Sequence, residues 1–176
     1  YLLLDNYYRD LKHLSIEERE LVNFDDPNSI DFELFYQHLE SLMKGESVNT
    51  PIYSYKTHLR KNKTKRMGKN DVLIIDGLFI LLKKKIRDFF DLTIFLNVDE
   101  STRLKRRIKR DVFERNRTEK QIRERFNQMI KPMHDKFIQP SKTHADIIID
   151  NEVNYQRIIK KIEYIFNEII RKNKEF

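Results

Sequence analysis

The chain of 176 residues contains no cysteine, which excludes disulfide staples, thiolate metal sites and cysteine nucleophiles. Glycine is nearly as scarce. Gly45, Gly68 and Gly77 are its three glycines, and no two have the spacing of a phosphate-cradling G-x-x-x-x-G-K-[ST] loop. Gly68-Lys69 is followed by Asn70, and position 63 is lysine, so the chain has no P-loop of its own. No apolar run approaches the roughly 18 residues of a membrane-spanning helix. The opening Tyr1-Leu2-Leu3-Leu4 is too short for a secretory signal and lacks a basic lead-in. The histidines His13, His38, His58, His134 and His144 show no metal-ligand spacing. A soluble, cytoplasmic chain without a membrane partner is expected.

What is present is charge. Charged residues make up 36% of the chain, against roughly 25% in an average soluble protein. Lys+Arg 35 against Asp+Glu 28 leaves a formal charge of +7. Such a balance suits nucleic acid, an anionic membrane or a phosphorylated small molecule, and equally a solvated surface rich in lysine. Acidic residues are interspersed throughout, which disfavours a nucleic-acid partner. The 39% of hydrophobic residues arrive in tight blocks that can build one core. With no internal repeat or low-complexity linker, residues 1–176 are expected to form one domain.

Four of those blocks predict strands of a sheet buried on both faces: Tyr1 to Leu4, Val72 to Ile75, Leu92 to Val98 and Ala145 to Ile149. Each is followed by an aspartate, Asp5, Asp76, Asp99 or Asp150. Segments of helical period separate them, so an α/β fold with a parallel sheet flanked by helices is expected. Ligands of such sheets gather beyond the carboxyl ends of the strands, where these aspartates stand. A helix is predicted from Asp31 to Lys44, closed by Gly45, and another from Ser101 to Glu114. Thr118 with Gln121 forms a capping-box pattern for the next. The last, about Tyr155 to Arg171, is expected to bury Ile158, Ile162, Ile165, Phe166 and Ile169 on the sheet. Residues 48–67 are partly alternating and predict a projecting β-hairpin that turns at Lys61-Asn62-Lys63.

Three constellations could carry chemistry. Arg103, Arg107 and Arg110 fall on one helical stripe, and Arg115 and Arg117 follow near the helix exit. Guanidinium forks suit bidentate clamping of phosphate oxygens, although a charge run also makes an ordinary solvated face. Asp5 ends an apolar strand, where a carboxylate can accept a proton, reach magnesium or cap a helix. Asp76-Gly77 ends another strand in a carboxylate followed by a glycine that lets the backbone turn. Together they suggest phosphoryl transfer. On the hairpin, Tyr53, Tyr55 and His58 could hold a flat heterocycle, or could simply be packed rings on an exposed turn.

In sequence order these segments resemble the uridine kinase (uridine/cytidine kinase) family. Asp5-Asn6-Tyr7-Tyr8 is similar to its D-S-[FY]-Y, and Asn23-Phe24-Asp25-Asp26-Pro27 to its N-F-D-x-P. Pro51-Ile52-Tyr53-Ser54-Tyr55 with Thr57-His58 resembles its P-x-Y-x-[FY]-x-x-H hairpin, and Asp76-Gly77-Leu78 its E-G-I. Arg106 through Arg117 resembles R-R-x-x-R-D-x-x-E-R-G-R, and Pro132-Met133-His134, Pro140-Ser141-Lys142 and Ala145 to Ile149 follow in the family's order. The resemblance covers nearly the whole chain. It implies a three-layer P-loop kinase fold with a lid at about 103–125, and transfer of a phosphate from ATP (or GTP) with Mg²⁺ to the 5′-hydroxyl of uridine or cytidine, in pyrimidine salvage. It also implies a homo-oligomer, often a tetramer.

By the same resemblance Asp5 is the general base, and Asp5 with Asp76 holds the metal. Tyr8, Phe24, Asp25, Tyr53, Tyr55, His58, Leu78, Arg107, Arg117 and Arg125 match nucleoside-binding positions, and Arg110 and Arg115 match lid arginines near the phosphates. The family's P-loop precedes the strand ending at Asp5, and about 30 residues, one strand–loop–helix unit, would supply it. The chain as it stands is therefore expected to transfer no phosphate. Asp76 stands where glutamate is usual, Asn116 where glycine is usual and Arg125 where glutamine is usual. Other expectations the residues leave open are a different kinase of the phosphoribulokinase group, and a nucleoside-binding protein without catalysis.

Overall fold

Strands and helices alternate along the chain in the order the apolar blocks predict. The computed structural model describes residues 1–115, 117–150 and 155–174; Asn116 lies outside them. Its strands are β1 (Leu2–Leu3), β2 (Val48–Ser54), β3 (Leu59–Met67), β4 (Ile75–Asp76), β5 (Ile94–Asn97) and β6 (Ile147–Asp150). The helices that position the site are α1 (Ile16–Leu21), α2 (Phe32–Met43), α3 (Lys84–Arg87), α4 (Glu100–Arg115) and α5 (Glu119–Arg125). β1 pairs in parallel with β4, setting Leu3 opposite Asp76, and β5 pairs in parallel with β6. Parallel partners need long crossovers. Helices α4 and α5 lie in the second one, and α1, α2 and the hairpin lie in the first.

Burial fixes the end of β1. Leu2, Leu4 and Tyr7 are buried against Phe35 and Leu39 of α2 and against Phe79, Leu81 and Ile86. Each large apolar side chain removed from water contributes about 1.5–3 kcal/mol. Leu4–Tyr7 forms a short 3₁₀ turn, so Leu4 and Tyr7 anchor it while Asp5 between them stays outside the core. Helix α2 begins at the Asp31 cap, whose carboxylate accepts the Leu34 N–H at 3.2 Å. It ends at Gly45, φ 79°, with the Gly45 N–H donating to Leu42 O and the Glu46 N–H to Ser41 O. A left-handed residue there satisfies the last carbonyls, and glycine adopts it without a Cβ penalty.

Beyond α5 the chain stays helical through two wide turns, Phe126–Ile130 and His134–Ile138. Each is followed within two residues by a proline, Pro132 or Pro140. A proline ring collides with the carbonyl four residues back in a regular helix. Here the Lys131 N–H reaches back five residues to Phe126 O, and Gln139 to His134 O, so widened turns precede the rings.

Four expectations need correction. The hairpin turns at Tyr55–His58, where His58 adopts φ 53°, not at Lys61–Lys63. Those three residues instead bulge within β3, opposite Ile52, because the register passes from Pro51↔Thr64 to Tyr53↔Arg60. The sheet blocks are not buried on both faces, since Ile74, Leu96 and Ile148 are exposed; one side of each short pair carries the core and the alternating side does not. Gly77 serves no left-handed turn. A Cβ there would land inside the side chain of buried Leu4, so close approach is what requires glycine. The last helix, Tyr155–Lys174, forms, but Ile162, Ile165 and Ile169 are only half-buried and Phe166 is exposed. The side chain of Ile158 lies outside the described residues.

Candidate active site

A cavity of about 1030 Å³ opens beyond the carboxyl ends of β1 and β4. Four parts of the chain wall it. The strand ends supply Asp5, Tyr8, Asp76 and Leu78; the loop after α1 supplies Phe24 and Asp25; the hairpin supplies Tyr53, Tyr55 and His58. Helix α4 and its exit close it with Arg107, Arg110, Arg115 and Arg117. All these residues are expected from the sequence. Arg125 is expected too, but it does not line the cavity. Its guanidinium donates to the carbonyls of Glu20 at 2.8 Å and Val22 at 2.9 Å.

The aromatic side chains form one contiguous wall. Phe24 stacks on His58, with ring centroids 4.6 Å apart and 15° between planes. Tyr8 meets Phe24 edge-on at 5.3 Å and Tyr53 at 5.0 Å, and Tyr53 meets Tyr55 edge-on at 5.5 Å. Such offset and edge contacts suit ring quadrupoles. The Tyr8 hydroxyl donates to Phe24 O at 3.2 Å, joining the strand end to the loop. Burial lifts the phenols of Tyr8, Tyr53 and Tyr55 well above the ordinary tyrosine range, so they stay neutral donors. Burial, then the charges of Arg115 and Arg117, press His58 below the usual histidine value.

Asp5 faces this wall. The Tyr55 hydroxyl donates to its carboxylate at 3.0 Å. Burial raises the Asp5 pKa, the Tyr55 hydrogen bond opposes that rise, and the charges of Asp76 and Asp25 reinforce it. A carboxylate with a raised proton affinity, beside a cavity and short of partners, has the character of a base. Asp76 accepts from the Tyr1 hydroxyl at 2.8 Å. Asp5 and Asp76 stand at the ends of paired parallel strands, and their mutual repulsion is what a shared cation would relieve. No group of three or more His, Asp or Glu side chains suited to a metal occurs among the described residues. Mg²⁺ is ordinarily held by one or two carboxylates together with substrate phosphates, so Asp5 and Asp76 are the residues that would hold it.

The arginines are organised by an acid that sequence reasoning did not single out. Asp111 is 2% exposed. It accepts from Arg110 Nε at 2.7 Å and lies 3.7 Å from Arg107 Nε and 3.6 Å from Arg115 Nε. Burial alone would raise its pKa, but the Arg110 hydrogen bond and the three positive charges hold it below the usual carboxylate value. Arg107 also reaches Asp25 at 3.4 Å, linking α4 to the loop. The i,i+4 spacing of Arg107, Asp111 and Arg115 was the available signal.

Two more supports were not foreseen. Arg60 donates to the carbonyls of Tyr8 at 2.8 Å and Tyr7 at 3.1 Å and pairs with Asp31 at 3.1 Å. Asn6 accepts the Tyr53 N–H at 3.1 Å. Neither is announced by local pattern, because the partners lie dozens of residues away.

The chain is similar to known proteins in sequence and in fold. The sequence profile of the Phosphoribulokinase / Uridine kinase family matches residues 1–157. The chain is 42% identical over 171 residues to a uridine kinase of Streptococcus uberis, covering 95% of this chain and 81% of that protein. It is 39% identical over 168 residues to a uridine kinase of Clostridium novyi, covering 93% and 81%. In fold it is similar to a putative fructose transport system kinase from Silicibacter sp., with a TM-score of 0.65 at 20% identity over 84% of this chain and 72% of that one. It is also similar to a possible uridine kinase from Bacillus stearothermophilus, TM-score 0.50 at 17% identity, covering 85% and 70%.

Proposed function

Because the chain belongs to the phosphoribulokinase/uridine kinase family, we propose that its cavity is the acceptor site for a pyrimidine nucleoside, uridine or cytidine, whose 5′-hydroxyl receives the γ-phosphate of ATP or GTP. One observation carries this reading. Asp5, with its raised proton affinity and its hydrogen bond from Tyr55, lines the same cavity as a wall of rings that can face a flat base, with the arginines of α4 alongside.

The chemistry follows from the placement. The nucleoside lies with its base against Phe24, His58 and Tyr53 and its 5′-hydroxyl toward Asp5. Asp5 takes the hydroxyl proton as the oxygen bonds to phosphorus; the bond from that phosphorus to the departing nucleoside diphosphate breaks. Phosphoryl transfer is governed by positioning and charge stabilisation. Arg110 and Arg115 face the phosphoryl oxygens in this reading, their guanidiniums oriented by Asp111. Mg²⁺, held by Asp5 and Asp76, would neutralise phosphate charge.

A second reading has its own observation. These 176 residues contain no G-x-x-x-x-G-K-[ST], so they can bind the acceptor without cradling the donor. Nucleoside binding is thus tested apart from transfer. Calorimetric titration of the chain with uridine, cytidine, fructose and D-glycerate should show binding of the two nucleosides alone. Binding of a sugar or glycerate without uridine would overturn the assignment. Supplying a P-loop segment ahead of Tyr1 should then add transfer to uridine; none, with uridine bound, would favour the binding protein.

A further inference from the structure

We propose that Arg125 is a positioning residue for nucleoside recognition: from α5 it fastens the carboxyl end of α1 and thereby holds Phe24 and Asp25 in the cavity wall. The inference rests on the reading of this cavity as a nucleoside site.

Helix α1 has little apolar packing to hold it, and its own side-chain tie to the turns around it comes from Arg19, which donates to Leu11 O, Leu14 O and Thr57 O. None of its residues is buried, and Ile16 and Leu21 are exposed. Burial cannot fix where it ends, yet its end sets the loop that carries Phe24 and Asp25. The last carbonyls of any helix lack internal partners, and those ends carry partial negative charge that attracts a cation. Arg125 meets both needs, since two of its N–H groups reach Glu20 O and Val22 O at 2.8 and 2.9 Å. The planar fork of arginine spans two acceptors at once, which a lysine ammonium on its flexible stem does poorly.

The other end of this tie is firm. Ile122, one turn before Arg125, and Phe126, the residue after it, are each 2% exposed. A well-packed helix therefore grips a poorly packed one. The grip extends to the hairpin, because Arg19 of α1 donates to Thr57 O at 3.1 Å, next to His58. Both members of the Phe24–His58 stack thus depend on where α1 is held. Arg125 itself touches none of the cavity.

The test measures amide exchange and uridine affinity on the 176-residue chain and its Arg125→Ala and Arg125→Lys variants. The Val22, Asp25 and Asp26 amides, which are hydrogen-bonded in place, should exchange about tenfold faster or more in Arg125→Ala without any ligand, as expected for a lost charge-assisted hydrogen bond. Amides of β2 and β3 should keep their rates. Uridine affinity should fall about tenfold, with Arg125→Lys between wild type and Ala. Unchanged exchange with weakened uridine binding would make Arg125 a direct contact and overturn the proposal. Faster exchange with wild-type affinity would also overturn it. A wild-type chain that binds no uridine would remove the functional reading itself, whatever the exchange rates show.

Discussion

Phe24 and His58 lie face to face with 4.6 Å between ring centroids, which leaves no slot between them. A planar base inserted there would need roughly 7 Å, twice the ~3.5 Å contact distance of carbon atoms. The pair is therefore a closed stack that presents its outer surface and its polar edge to the cavity. Tyr53 supports that edge, its hydroxyl 3.5 Å from His58 Nδ1. In the proposed function, a nucleoside base would lie against the stack and read the imidazole edge.

Replacing His58 tests that edge, and the backbone dictates the substitution. His58 has φ 53°, a conformation that costs most L-residues about 1–2 kcal/mol but suits asparagine. His58→Asn should keep the thermal midpoint, whereas His58→Ala should lower stability by about 1 kcal/mol. Loss of the ring should weaken uridine about ten- to a hundredfold, the worth of one hydrogen bond to a buried group. Calorimetry with each variant reads this. Wild-type affinity in His58→Asn would return the hairpin rings to a packing role.

Asp5 is expected to limit both turnover and stability. With a P-loop segment supplied, Asp5→Asn should lower kcat about 100-fold or more and leave uridine affinity little changed. Because the folded-state pKa of Asp5 is raised, its protonated form is the one the fold prefers. Its contribution to stability is present at low pH and is lost as pH rises through the raised value. Asp5→Asn should therefore melt at a higher temperature than wild type at pH 7. In wild type, transfer should rise with pH through a value above the ordinary aspartate range. A mutant that is both active and no more stable would place the base elsewhere, with Asp76 the next candidate.

Asp111 is expected to behave in the opposite sense. Its pKa is depressed by three arginines, so its stabilisation is present above the ordinary aspartate range and disappears as pH falls through the depressed value. Asp111→Asn leaves Arg107, Arg110 and Arg115 without their common anion, a loss of about 3 kcal/mol at neutral pH. Urea unfolding at pH 7 and at successively lower pH should show the gap between mutant and wild type closing. Equal stability at pH 7 would mean that solvent already screens the cluster.

Gly77→Ala tests the fit of the strand ends. The added methyl meets buried Leu4, and overpacking of this kind costs typically about 1–3 kcal/mol. Leu4 adjoins Asp5, so uridine binding should weaken as well. Thermal melting and calorimetry on the same sample check both. An unperturbed variant would show that Leu4 can move aside.

Much of this was legible in the sequence because it is local. The Asp31 cap, the Gly45 stop and the capping box at Thr118 are all short-range signals, and each lies where expected; of the apolar blocks before Asp5 and Asp76, only Leu2–Leu3 and Ile75 pair as strand, with Asp76 itself closing β4. The hairpin was legible in extent but not in turn. Lys61-Asn62-Lys63 carries turn chemistry, and it forms a bulge because the left-handed His58 had already reversed the chain. Asp111 was hidden because a charge among many charges has no local mark of burial. The contacts of Arg19, Arg60 and Arg125 were hidden for a different reason. Each arginine spends its guanidinium on backbone carbonyls, some of them far away in sequence, and carbonyls are the same in every residue.

The most direct test of the whole account is a crystal structure of the chain with uridine bound. The base should lie against Phe24 and His58, and the 5′-hydroxyl oxygen should sit about 2.6–3.2 Å from the Asp5 carboxylate, within reach of proton transfer. Uridine bound with its 5′-hydroxyl directed away from Asp5, or bound outside this cavity, would contradict it.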